Sequence, residues 1–340
     1  MFRRGLFGIG FVILMSMTWL GFAHDAAAAE MDFSVEAILD GHQAERGNTY
    51  FDLLVKPEET VMLAVRVSNH SDTAKEIGVY ANTAVTNDNG VIEYANDNPK
   101  LDASLEHPFS SLVAVPSQRV TLVRNETKRI EIPVRLPKKA FSGTILGGLY
   151  FVDETDSGKV QDSDEGVQIH NRFSYTIGVV LRENERKVEP DLKLKSVKAG
   201  QKNGRNTIFI GVQNDKPEIL RNLVLSGQIF REGGEKPLQT FRKENVQMAP
   251  NSLFNYGVSQ ENQAFQPGNY LLKLEGKANG KTWKFTKKFT ISKDEAKRFN
   301  DQAVELEESG ISPWLYALIG AGVLFVAGFS FWAGKRARRS

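Results

Sequence analysis

The chain has no cysteine in its 340 residues. That excludes a disulfide-stapled scaffold, a thiolate nucleophile and the sulfur-ligated zinc sites. Histidine is scarce as well: His24, His42, His70, His107 and His170 are all there are. They share no H-E-x-x-H spacing, and no G-x-S-x-G elbow accompanies them. The calcium-loop spacing D-x-D-x-D-G is missing too. Neither sign of charge dominates, since 43 Lys and Arg face 41 Asp and Glu. Nothing therefore points to nucleic acid or another polyanion. Paired carboxylates of glycosidase type meet only in a fold, so the sequence leaves them open. The expectation is a protein that is not an enzyme, with no catalytic residues, no cofactor and no metal.

Long hydrophobic runs are missing everywhere but at the two ends. Arg3 and Arg4 lead into an apolar run from Leu6 to Leu20, followed by Ala26-Ala27-Ala28-Ala29. This is the basic, apolar and small-residue order of a secretory signal peptide, so residues 1–29 are expected to be cleaved. From Ser309 to Gly334 there is no charged residue, and Lys335, Arg336, Arg338 and Arg339 follow. About 20 apolar residues span the hydrocarbon layer, and cations at one end hold it in the cytoplasm. A transmembrane helix is expected at 311–334, with a basic cytoplasmic tail at 335–340. Taking away both ends removes six cations and Asp25, leaving 37 cations against 40 anions. The exposed part is therefore slightly acidic and its charges are mixed.

Between the ends the pattern is that of strands. Val61, Leu63, Val65 and Val67 alternate with Met62, Ala64, Arg66 and Ser68. Ile208, Ile210 and Val212 repeat the period of two, as do Trp283, Phe285, Phe289 and Ile291. Turn signals punctuate the pattern at Asn89-Gly90, Asn203-Gly204, Gly233-Gly234, Pro267-Gly268 and Asn279-Gly280. The fold class expected is all-β: two tandem immunoglobulin-like antiparallel β-sandwiches, at 30–182 and 183–292. The charged stretch from Arg182 to Glu189 ahead of Pro190 marks the boundary. After Ile291, Ala296, Phe299, Ala303 and Leu306 fall at helical spacing. Ser292 and Glu295 form a capping-box pattern. An amphipathic helix is expected over 293–310, packed against the second domain or standing as a stalk above the membrane.

Three clusters stand out. ANTAVTNDNGVIEY (81–94) offers Asn82, Thr86, Asn87 and Asp88 as hydrogen-bonding groups for glycan hydroxyls or peptide amides. Tyr94 could stack on a sugar ring there. The competing reading is a turn in which Asx side chains satisfy their own backbone. FSGTILGGLYF (141–151) carries Gly143, Gly147 and Gly148 in a strand, which implies a bulge or a close backbone approach to a ligand or partner strand, against the competing reading of a core strand with a bulge. MAPNSLFNY (248–256), with FQPGNYLLKLEG (265–276), reads first as a structural corner and second as an interaction loop.

These stretches also carry a resemblance. TYFDLLVKPEETVMLAVRVSNHSD (49–72), ANTAVTNDNGVIEY, FSGTILGGLYF and NRFSYTIGVVLREN (171–184) resemble the N-terminal domain of the WxL-interacting proteins of Gram-positive bacteria. VEPDLKLKSV (188–197), GVQNDKPEILRNLVLSGQIF (211–230), MAPNSLFNY and the strands through Ile291 resemble that family's C-terminal domain. The likeness runs over about residues 31–310 in the family's order.

The resemblance implies a non-enzymatic cell-surface protein. Its first domain would bind peptidoglycan, and its second would bind WxL-type surface proteins or host extracellular matrix. Neither a Trp-x-Leu motif nor a Leu-Pro-x-Thr-Gly sorting signal occurs in the chain, so the membrane helix is expected to remain its anchor. A membrane-held copy would work in the inner part of the wall. Two rival classes are an adhesin or assembly factor that binds proteins alone, and a wall hydrolase.

Overall fold

The computed structural model describes residues 32–45, 47–155 and 172–304, together with Leu306, Ala321, Gly322 and Gly328. The expected signal peptide, most of the expected membrane span and the basic tail lie outside the described residues. Among the described residues no helix is long and apolar enough to cross a membrane.

Strand patterning accounts for most of what is seen. The first domain is built from β1 (Phe33–Ile38), β2 (Phe51–Leu54), β3 (Thr60–Asn69), β4 (Lys75–Thr83), β7 (Ser117–Leu122), β8 (Thr127–Arg135), β9 (Ile145–Asp153) and β10 (Ser174–Arg182). A small hairpin of β5 (Val85–Thr86) and β6 (Ile92–Glu93) projects from it. One sheet runs β1-β3-β8 and the other β2-β10-β9-β4-β7. Val61, Leu63, Val65 and Val67 turn inward, as their alternation requires, and meet Ile77, Leu149, Phe151 and Val179 of the facing sheet in one core. The pairing is not wholly antiparallel: β10 runs parallel to β2, with Val179 opposite Phe51. The four residues of β2 form an edge too short to reveal its direction by periodicity.

The second domain comprises β11 (Leu192–Lys202), β12 (Arg205–Asn214), β13 (Leu220–Arg231), β14 (Pro237–Met248), β15 (Ser252–Ser259), β16 (Gly268–Ala278) and β17 (Lys281–Ile291). Its sheets are β11-β12-β15 and β14-β13-β16-β17, antiparallel throughout. Ile208, Ile210 and Val212 face Leu225, Leu272 and Leu274 across the core. Two hairpins close on two residues each, Asn203-Gly204 and Asn279-Gly280, all at positive φ. These are the turns whose twist matches that of paired strands.

The helix α1 (Lys293–Gln302) follows, opened by a capping box between Ser292 and Glu295. Of the two expected arrangements it takes the packed one, and it is shorter than the helical spacing suggests, since the backbone extends at Ala303. Ala296 is buried against the second domain, and Phe299 meets Phe265 edge-on at 6.1 Å. Asn300 fixes the docking: its Oδ1 accepts from Asn206 Nδ2 at 2.9 Å and Phe265 N at 2.8 Å, and its Nδ2 donates to Phe265 O at 3.0 Å. Asn300→Ala would strand those groups at a cost of roughly 2–3 kcal/mol. The expected outcome is faster amide exchange throughout α1 with the sandwich cores still protected.

Candidate functional site

The three motif clusters, far apart in sequence, meet at the junction of the two domains. The hairpin β5–β6 reaches across to the second domain. Gly90 at its tip has φ +73°, and its carbonyl accepts from Gln247 N at 2.8 Å. A Cβ there would lie 3.1 Å from Phe254 and Val246. The hydroxyl of Thr86 accepts from Ala249 N at 2.9 Å and lies 2.6 Å from Ser252 Oγ. Because Ser252 Oγ donates to Ala249 O, the Thr86 proton is left to point at Ser252. From the second cluster, Thr144 N donates to Pro217 O at 2.7 Å beside Gly143, whose φ is +80°. Ala84, Leu146 and Ala249 form a small apolar cluster, with Ile92, Tyr94 and Ile219 packed on it. Asn251 Nδ2 donates to Asp215 O at 3.1 Å and reaches Ser104 Oγ at 3.3 Å.

Each residue singled out from sequence has a place in this arrangement. Asn82 is buried, and its Nδ2 donates to Tyr94 O at 2.8 Å. Asn87 Oδ1 accepts from Asn89 N and Val91 N at 3.0 and 3.2 Å, which is an Asx turn. Gly147 and Gly148 pair on both sides with no register shift, so β9 holds no bulge. Their close approach is to the chain's own rings. A Cβ on Gly147 would be 2.6 Å from Phe109 Cβ and closer still to its ring. One on Gly148 would be 2.8 Å from Tyr94 Cδ1. Burial pushes the Tyr94 phenol pKa up, with the charge of Arg221 working the other way.

Beside the junction lies a cleft of about 990 Å³. Thr86, Asn87 and Asp88 line one side with Asn89 and Glu93, while Asn82, Tyr94, Gly147 and Gly148 lie away from it. The loop from Asn96 to Leu105 forms a second wall. The floor is the outer face of the β11-β12-β15 sheet, through Ser196, Lys198, Phe209, Leu253 and Asn255. Two of its members could have been read from sequence. Phe209 falls between the inward Ile208 and Ile210, so it faces outward. Asn255 sits within MAPNSLFNY. The hold that Asp102 has on Gln213 could not be read, because it joins positions 111 apart.

Asp102 carries the titrating link across the cleft. Burial raises its carboxyl pKa, but hydrogen bonds from Ser104 N, Ser104 Oγ and Gln213 Nε2 outweigh that and hold it below the ordinary value of 3.8. A depressed folded-state pKa adds stability above the ordinary value, which is lost as pH falls through the lower folded one. Between about pH 5 and pH 3, Asp102→Asn should flatten the acid-side loss of melting temperature relative to the unaltered chain. Equal slopes would remove Asp102 from the acid response.

Among the described residues no group of three or more His, Asp or Glu is placed to hold a metal ion. Comparison with curated proteins finds no match. Among solved structures the chain is similar to a chaperone–tip adhesin complex of CFA/I fimbriae, at 14% identity over 76% of this chain and 98% of that chain, with a TM-score of 0.29. It is also similar to the E. coli chaperone DraB, at 15% identity over 76% of this chain and 98% of that chain, with a TM-score of 0.26. The model described as "WxL Interacting Protein, peptidoglycan binding domain" matches residues 33–153. The model described as "WxL Interacting Protein, host binding domain" matches residues 164–301. The second match begins ahead of β10, a strand hydrogen-bonded within the first domain. With the two models in succession over more than half of its length, the chain belongs to the WxL-interacting protein family.

Proposed function

We propose that this is a non-enzymatic, membrane-anchored surface protein of a Gram-positive bacterium. It holds peptidoglycan through its first domain and a WxL-type surface protein or a host matrix component through its second. The observation that carries this reading is the succession of a peptidoglycan-binding and a host-binding model on two sandwiches joined by a buried junction. The signal-like segment 1–29 and the uncharged segment 311–334 with its basic flank support export and anchoring by sequence. On the same reading each domain is immunoglobulin-like, a view supported by two facing sheets of short strands around one core.

The experiment is sedimentation of the purified full chain with insoluble peptidoglycan, with and without a WxL-domain protein. The intact chain is required because an isolated domain would expose Ala84, Leu146 or Ala249, which the junction buries. Pelleting with the wall, and recruitment of the WxL protein to that pellet, are expected. Failure to pellet combined with capture of the WxL protein in solution would favour an adhesin or assembly factor that binds proteins alone. Release of soluble muropeptides would make the protein a hydrolase and overturn the reading.

A further inference from the structure

The balance of charge over the whole chain conceals a division by domain. Residues 32–190 carry 17 Lys and Arg against 25 Asp and Glu, whereas 191–302 carry 20 against 11. Much of the basic excess sits on two strands. β11 holds Lys193, Lys195, Lys198 and Lys202, β17 holds Lys281, Lys284, Lys287 and Lys288, and neither strand has a carboxylate. Both are edges, one of each sheet. They lie side by side along one flank of the sandwich. Lys281 Nζ donates to Pro190 O and Lys287 Nζ to Lys195 O, each at 3.0 Å, and Trp283 Nε1 donates to Asp191 Oδ1 at 2.9 Å. Four of the eight lysines meet carboxylates of neighbouring segments, Asp215, Asp191, Glu275 and Glu232. Among the described residues Lys195, Lys198, Lys202 and Lys287 meet none. Charge on an edge strand keeps it from pairing with another chain. On the edges β8 and β14 that charge is mixed, since Arg129 pairs with Glu131 and Arg242 with Glu244 on the same strand. A flank of one sign needs a further account.

We propose that this flank binds a flexible linear polyanion, a phosphodiester-linked polyol, laid along β11 from Lys195 to Lys202 with Lys287 beside it. At about 3.3 Å per residue those outer lysines stand roughly 23 Å apart, so the charge forms a line. A bilayer would meet a plane, and across the same sheet β12 holds only Arg205 and β15 no charged residue. An acidic peptide adding as a strand needs an unbroken row of backbone groups. β11 breaks that row where its register shifts between Leu194 and Ser196, and Lys287 already donates to the Lys195 carbonyl. Lysine is a point charge on a flexible stem, without the fixed fork of arginine, so it selects by the spacing of charge rather than by planar shape. Between the lysines, Ser196 and Gly200 carry no ring, and Phe209 opposite Lys198 is a single one. Successive bases or sugar rings therefore find no row of platforms. The proposal goes beyond the wall-and-partner reading and does not require the first domain to hold peptidoglycan.

The test titrates the purified full chain with synthetic poly(glycerol phosphate) at several salt concentrations. Lys195→Gln, Lys198→Gln and Lys202→Gln combined should weaken binding at least about tenfold. They should also lower the slope of log affinity against log salt by about 2–3, close to one for each lost contact. Lys236→Gln, Lys243→Gln and Lys273→Gln make the same charge change around the other sheet and should weaken binding less than about threefold. All six positions are exposed or half-exposed, so both sets are expected to melt with the unaltered chain. Equal weakening by the two sets would reduce the effect to net charge and overturn the flank, as would no binding by the unaltered chain. Polyglutamate that binds as tightly and slows amide exchange in β11 or β17 would make the ligand a peptide and overturn the assignment. Phosphatidylglycerol vesicles that shield the three lysines from acetylation, with no binding of the soluble polymer, would make it a membrane and overturn it too. Sedimentation with phosphate-free peptidoglycan separates the two readings. A chain that fails to pellet yet binds poly(glycerol phosphate) through the flank would sink the wall-binding reading and support this one.

Discussion

A chain with Gly147→Ala is expected to lose the first domain at temperatures where the second remains folded. The added methyl would sit inside the ring of Phe109, a residue with no exposed surface. That ring belongs to the same buried core as Leu149, Val79 and Leu136, and its full burial leaves it no open side toward which to move. Overpacking a tight core costs about 1–3 kcal/mol and occasionally more, and a clash this deep belongs at the upper end. A double-variant cycle separates this cause from a generic strand effect. Phe109→Ala alone should cost about 3–5 kcal/mol. Combined with Gly147→Ala it should cost clearly less than the sum, because the clash has gone. Additive costs would mean that Phe109 is not what Gly147 accommodates.

Gly143→Ala should have a different result: both domains stay folded but come apart. At φ +80° an alanine is strained, and its methyl would be 2.9 Å from Pro217 Cγ and closer still to the Pro217 carbonyl oxygen. The left-handed conformation costs about 1–2 kcal/mol. The clash adds a similar amount. Relief comes by withdrawing Pro217, which breaks its hydrogen bond from Thr144 N. One calorimetric transition should become two, and the Thr144 and Gln247 amides should exchange faster. Thr86→Val acts on the same junction by stranding the buried Ala249 N–H, at about 1–3 kcal/mol. Unchanged exchange at Gln247 in both variants would contradict this.

The sheets were legible because half-buried strands write their burial into a period of two, as at Val61–Val67 and Ile208–Val212. The hairpin turns were legible because only Asn and Gly accept positive φ cheaply, as at Asn203-Gly204 and Asn279-Gly280. Where the three clusters point was not legible. Thr86 and Ser252 stand 166 positions apart, and no local pattern records that they share a proton. For the same reason an Asn-rich hairpin reads alike whether its amides face a ligand or its own backbone. In the folded chain Asn82 and Asn87 serve the backbone, while among the described residues lining the cleft the side chains of Asn89 and Asn255 make no hydrogen bond within the chain. The length of the helix was misjudged because Ala303 and Leu306 continue the apolar spacing beyond Gln302, where the backbone turns extended.

The central claim is that the junction makes the two domains one rigid body that holds the cleft open. A chain without cysteine allows two labels to be placed at will. Val123→Cys in the first domain and Leu238→Cys in the second replace residues that are 60% and 62% exposed. Paired spin labels there should give one narrow distance distribution in the unaltered background and a broad one with Gly143→Ala. A distribution that is already broad in the unaltered background would contradict the account.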